Sequence, residues 1–204
     1  MSVRLVLGSA SPARLATLRA AGIEPEVVVS GVDEDGVDAG SPAATAVALA
    51  RLKAEAVAAR LGEDRLHIGR ELVLGCDSVF ELDGAAYGKP RDAADAVARW
   101  QAMRGRTGVL HTGHHLVELG SDQSASGLAS AQVTFAEVSD DEVAAYVATG
   151  EPLHVAGAFT IDGLGGPFVE RVVGDPHTVV GLSLPLLRRL LAGMDVAWPS
   201  LWRA

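Results

Sequence analysis

Three short apolar runs separated by two helix-period segments open this chain, and that alternation constrains its fold more than any other feature. Residues 3–8 read as a buried first strand, Val27-Val28-Val29 as a second, and Leu72-Val73-Leu74-Gly75 as an interior third. Between the first two, Ser11 is placed to cap a helix that has Pro12 at its first position. Leu15, Leu18 and Ala21 line one face of that helix and Gly22 stops it. After an acidic loop over 31–40, Ser41-Pro42 starts a second helix, with Ala48, Leu49, Leu52 and Ala56 on its packing face and an end before Gly62. The order β-α-β-α-β is the grammar of an α/β domain.

Beyond Gly75 the spacing becomes mixed. Residues 79–82 and 86–88 flank a turn at Asp83-Gly84, and 92–103 reads as an Ala-rich helix. Segments 109–119 and 127–138 are candidate paired strands joined by a polar connection. Ser139 and Glu142 form a capping-box signal for a helix to about Thr149. A further strand over 168–173 and a turn plus apolar helix over 181–191 complete the reading. The expectation is one α/β domain over 1–204, with a mixed sheet and two lobes around a central cleft. The tail bearing Trp198 and Trp202 either packs back or frays.

Charge narrows the partners. The 17 basic and 26 acidic side chains give a net charge of −9, which excludes a broad basic surface for polymeric nucleic acid or anionic lipid. It does not exclude a small basic pocket. No apolar run approaches the roughly 20 residues that span a bilayer, and no export signal opens the chain; a cytoplasmic location with no membrane partner is expected. Cys76 is the only cysteine, so no intramolecular disulfide can form, and it reads as a small core residue.

Candidate chemistry gathers in a few places. Gly8-Ser9-Ala10-Ser11-Pro12-Ala13-Arg14 lies where a strand gives way to a helix. Small residues there admit an anion to the backbone, helix N–H groups face it, and Arg14 can grip phosphate oxygens bidentately. The same residues also suit an ordinary Ser-Pro cap, and they form neither a P-loop nor a dinucleotide fingerprint. Asp33, Glu34 and Asp35 suit a hard divalent cation or simple solvation. Lys53 either snorkels from its helix or directs its charge at phosphate. Asp77 directly follows the third strand, where α/β sites open, and Gly88-Lys89-Pro90 offers a cation in a constrained turn. A carboxylate that orients metal or water beside such cations is coherent hydrolytic chemistry; a strand-end cap and a surface turn are the competing account. The six histidines lack metal-site spacing, no GxSxG nucleophile motif occurs, and the tryptophans are too dispersed to stack bases.

Taken in order, these pieces resemble the Maf family of nucleoside triphosphate pyrophosphatases. The resemblance rests on 8–14, Val32-Asp33-Glu34, 48–54, Gly75-Cys76-Asp77-Ser78-Val79 and Gly88-Lys89-Pro90. It continues through Gly105-Arg106-Thr107, 146–153, 156–159, Asp162-Gly163, Gly174-Asp175-Pro176 and Val179-Val180-Gly181-Leu182. It implies a mixed-sheet fold like that of inosine triphosphatases, cleavage of the α–β phosphoanhydride of a nucleoside triphosphate to monophosphate and diphosphate, a divalent cation (Mg2+ or Mn2+), house-cleaning of noncanonical nucleotides, and a homodimer. On matching positions, Asp77 resembles the catalytic acid-base residue; Ser9, Arg14, Lys53 and Lys89 resemble the phosphate-facing set. Glu34, with Asp77, resembles metal support, a role that Asp33 could exchange. A phosphomonoesterase or a non-enzymatic nucleotide-binding regulator of cell division are the alternatives.

Departures from the family pattern concern specificity, at Ala13, Ser78 and Asp162. Relatives resembling a dTTP/UTP-cleaving branch carry Arg, Thr and Gln at those places, and His and Lys at Gly108 and Val155. An ionised Asp162 accepts hydrogen bonds but donates none, which suits a base edge rich in N–H donors such as guanine. His154, Ala156 and Gly157 resemble a branch acting on 7-methyl-GTP, yet Ala13 lacks the aromatic side chain found there. The expectation is an enzyme not restricted to dTTP and UTP, with the preferred base left open.

Overall fold

Helix and turn signals written into the sequence are satisfied locally. A computed structural model describes residues 3–34, 36–64 and 69–202; Asp35 of the acidic run lies outside the described residues. The chain runs β1 (Val3–Leu7), α1 (Pro12–Ala20), β2 (Glu26–Val27), α2 (Pro42–Asp64), β3 (Arg70–Leu82), β4 (Ala85–Tyr87) and α3 (Ala93–Met103). It continues with β5 (Thr107–Glu118), β6 (Ser124–Phe135), α4 (Asp140–Ala148), β7 (Val169–Val173), α5 (Pro176–Val180) and α6 (Leu184–Gly193). Ser11 accepts from the Arg14 N–H at the start of α1, and Gly22 follows that helix with φ +81°. Ser139 and Glu142 make the reciprocal capping box of α4. Asp83 and Gly84, with φ of +53° and +79°, turn β3 into β4 as a two-residue hairpin whose handedness matches strand twist.

The sheet is mixed, with order β2-β1-β3-β5-β6-β7 and β4 added to the far end of β3. β1 is parallel to β2 and β3, while β3, β5, β6 and β7 pair antiparallel in succession. Alternation along β3 sends Leu72, Leu74 and Cys76 into a core with Leu5, Leu7, Leu187 and Leu191. Val73 on the opposite face packs with Ala54 and Val57 of α2. Near the far end of β3, Phe80 enters a second core with Trp100, Phe135, Tyr146 and Phe159, whose rings meet edge to face. No helix among the described residues is long and apolar enough to cross a membrane.

Three expectations need correction. The third strand does not stop at Gly75: β3 continues through Asp77 to Leu82, because β5 pairs with it from Leu72 to Glu81 and overrides the weak strand preference of Gly and Asp. The second strand shrinks to Glu26–Val27, where only two residues find register with β1. α2 runs past Gly62 to Asp64. α5, capped by Asp175, is a helix the sequence reading missed. The tail packs back: Leu201 is buried and Trp202 bridges Ile23.

Candidate active site

The site forms where β1 ends and β3 does not. The Gly8 N–H bonds the Leu74 carbonyl at 2.8 Å, one residue past β1. From Gly75 to Val79 no strand among the described residues pairs with this edge of β3, until β4 takes up Phe80, Glu81 and Leu82. Asp77 and Ser78 sit in this gap, and strand alternation turns them to opposite faces of the sheet.

On the α2 face, Lys53 comes down on Asp77. Two glycines make that approach possible. A Cβ on Gly75 would stand 2.1 Å from the Ala50 carbonyl oxygen, and one on Gly113, the cross-strand partner of Asp77, would stand 2.2 Å from that of Ala46. The backbone of α2 therefore rests directly on the sheet. The Lys53 Nζ makes a short ion pair with Asp77 Oδ1 and another with Glu34 Oε1 at 2.8 Å. Lys53 and Asp77 are each 7% exposed, which rules out the snorkelling account of Lys53.

On the opposite face, Arg14 is fixed from three sides. Its Nε donates to the Gly181 carbonyl at 2.8 Å, Nη1 to Ser9 Oγ at 3.1 Å and Nη2 to Ser78 Oγ at 3.1 Å. Three of the five guanidinium N–H groups are thus taken, and one remains on each terminal nitrogen. That is a fork for two oxygens of one phosphate. The solvent-facing alternative for Arg14 fails, since the residue is 9% exposed.

Elsewhere the predicted set divides. Lys89 is exposed, and among the described residues no ion pair joins its ammonium to Asp77. The turn that carries it is clamped by Arg99, which donates to the Gly88 and Lys89 carbonyls at 2.6 and 3.3 Å. Ala13 and Asp162 come together, lining a hollow of about 340 Å³ with His177, Val180 and Leu184. Ser78 does not join them but holds Arg14. Glu151, which sequence reasoning passed over, ties down the segment carrying Asp162: it accepts from Thr160 Oγ1 at 2.6 Å, the Leu164 N–H at 3.0 Å and the Gly165 N–H at 3.1 Å. Cys76 is no nucleophile, because full burial pushes its thiol up to about 12.

For a metal, Glu34 and Asp77 supply two hard oxygen donors flanking one position, both now on Lys53. No group of three His, Cys, Asp or Glu able to hold a metal occurs among the described residues. Two carboxylates completed by substrate phosphates is the ordinary way Mg2+ is held, so the donor set fits a cation that arrives with its phosphate ligand.

The chain is similar to known proteins along nearly its whole length. A family model described as Maf-like protein matches residues 4–194. A nucleoside triphosphate pyrophosphatase of Salinispora tropica is 62% identical over 204 residues, covering 99% of this chain and 88% of that one. One from Streptomyces coelicolor is 57% identical over 98% of this chain and 94% of its own. Another from a Cyanothece species is 50% identical over 98% of this chain and all of its own, 100%. Among solved structures, the Staphylococcus aureus Ham1 protein is similar at a TM-score of 0.48 and 13% identity, over 94% of this chain and 99% of that one.

Proposed function

The chain belongs to the Maf-like family, and from that premise we propose that it is a nucleoside triphosphate pyrophosphatase that hydrolyses the α–β phosphoanhydride. The carrying observation is the convergence of Asp77, Lys53 and the fixed fork of Arg14 on one gap in the sheet. Water attacks the α-phosphorus; a new P–O bond forms, the bond from that phosphorus to the bridging oxygen breaks, and diphosphate leaves. Asp77 orients the water and accepts its proton as the bond forms. Lys53 holds the Asp77 carboxylate in place and, with Arg14, offsets the charge spread over the phosphate oxygens. Lys89, on its clamped turn, is the remaining cation within the phosphate-facing set.

Glu34 and Asp77 are the residues that would hold Mg2+ or Mn2+. When bound, the cation would neutralise phosphate charge and ease loss of the water proton. The base enters the hollow shared by Ala13 and Asp162, whose carboxylate selects a base edge with N–H donors.

A panel of standard, methylated and deaminated nucleoside triphosphates, with monophosphate and diphosphate both quantified, tests this reading. Equal release of the two products, abolished by a chelator and restored by Mg2+ or Mn2+, is expected. Orthophosphate as the sole phosphate product would instead mark a phosphomonoesterase.

A further inference from the structure

We propose that Thr112 is a positioning residue for triphosphate binding: it fixes the hydroxyl polarity of Ser78 and so the aim of Arg14. This rests on the reading of Arg14 as a phosphate fork. Thr112 lies on β5 directly opposite Ser78 and is fully buried. Its Oγ1 donates to the Thr178 carbonyl at 2.8 Å, and a hydroxyl has only one proton to give. At the 2.9 Å contact between the two hydroxyls, Ser78 must therefore be the donor. With its proton committed to Thr112, Ser78 Oγ turns a lone pair to Arg14 Nη2.

The same threonine secures a second anchor of Arg14. Thr178 belongs to α5, and Gly181, whose carbonyl accepts from Arg14 Nε, ends that helix. Thr112 thus ties down both the hydroxyl and the turn that hold the guanidinium. Its neighbour on the same face, His114, extends the tie by accepting from the Ser183 N–H at 2.9 Å. Without the Thr112 hydroxyl, Ser78 is free to rotate its proton toward Arg14 or solvent, and the Thr178 carbonyl keeps only the longer bond from the Gly181 N–H at 3.1 Å.

Calorimetric binding of inorganic tripolyphosphate to the intact protein, alongside kcat and KM, tests the role. Thr112→Val should weaken tripolyphosphate binding on the order of tenfold and raise KM more than it lowers kcat. Thr112→Ser, which keeps the hydroxyl, should stay within about twofold of the parent. In a cycle with Ser78→Ala, the double variant should lose less than the sum of the two single losses, since they share the Ser78 link while the tie to Thr178 belongs to Thr112 alone. Arg14→Gln separates the two readings. If it binds tripolyphosphate normally, the phosphate fork and the Thr112 role fall together. If it weakens binding while Thr112→Val does not, or if the cycle is additive, only the Thr112 role is overturned. Should Thr112→Val not fold, Thr112→Cys, which replaces the hydroxyl by a weakly hydrogen-bonding thiol and drops the methyl, must bind tripolyphosphate more weakly than Thr112→Ser, which drops the same methyl but keeps the hydroxyl.

Discussion

Gly75 lies so close to Ala50 that a methyl group on it would stand 2.1 Å from the Ala50 carbonyl oxygen. Lys53, one turn further along α2, depends on that closeness to reach Asp77. Gly75→Ala should push the helix off the sheet, cost roughly 1–3 kcal/mol or more from overpacking, and withdraw Lys53 from the site. Gly62 in the same helix has nothing within 4 Å of its added Cβ. Gly62→Ala should leave turnover unchanged and stabilise by up to about 1 kcal/mol. Thermal unfolding and turnover of both variants check the contrast; normal activity in Gly75→Ala would show that helix placement does not govern the site.

Asp77→Asn keeps the shape of the side chain but removes the carboxylate that would accept the water proton. Turnover should fall on the order of 10²–10⁴-fold, while tripolyphosphate still binds, because Arg14 and its three anchors lie on the other face of the sheet. Lys53 keeps Glu34 as a partner, so the fold should survive the substitution. Stopped-time product assays and calorimetry on one preparation separate the two effects. Near-normal turnover would remove Asp77 from the chemistry.

Much of the site could be read from residue order, and the unread part has a physical cause. Ser9 and Arg14 were identifiable because their motif sits at a strand–helix junction, and Asp77 because it follows an apolar run; Lys53, inside α2, was singled out by the family resemblance. Strand register is set by long-range pairing, so nothing local announced that β3 continues past Asp77 or that β1 leaves its edge open. Gly75 suggested a strand end, whereas its real work is to admit the α2 backbone. Ser78 resembled a specificity position by family analogy, yet it holds Arg14. Thr112 acts through contacts remote in sequence, and Arg99 and Glu151 through loop contacts that no local pattern announces.

His114 makes stability sensitive to acid. It is fully buried, accepts from the Ser183 N–H through Nε2, and contacts the Thr112 carbonyl through Nδ1 at 3.1 Å, a pattern that requires the neutral ring with its proton on Nδ1. Burial holds it neutral, lowering its pKa from 6.5 to about 4. As pH falls below 6.5 the unfolded chain takes up this proton and the folded chain does not, so stability declines until the folded-state value near 4 is passed. The slope is at most about 1.4 kcal/mol per pH unit, for a total on the order of 3 kcal/mol. Denaturant titrations at several pH values should show a shallower decline in His114→Gln than in the parent. Identical profiles would mean that His114 does not titrate on unfolding as described.

Asp162 and Ala13 share a hollow, and a base seated there, as proposed, would meet the acceptor oxygens of Asp162. His177, in the same hollow, sets its Nδ1 against Asp175 Oδ1 at 3.0 Å. The carboxylate can only accept, so that nitrogen carries the proton and Nε2 is left as a bare acceptor when the ring is neutral. Two acceptors favour a guanine-like edge over uracil or thymine, which present one N–H between two carbonyls. Asp162→Gln introduces a donor while keeping an acceptor. Its ratio of kcat/KM for guanine-type over uracil- and thymine-type triphosphates should fall about 10- to 100-fold, the range that one mismatched polar contact commands. The parent should show the higher ratio under the same conditions. A parent that prefers dTTP and UTP, or an Asp162→Gln ratio equal to the parent's, would mean that base selection lies outside this hollow.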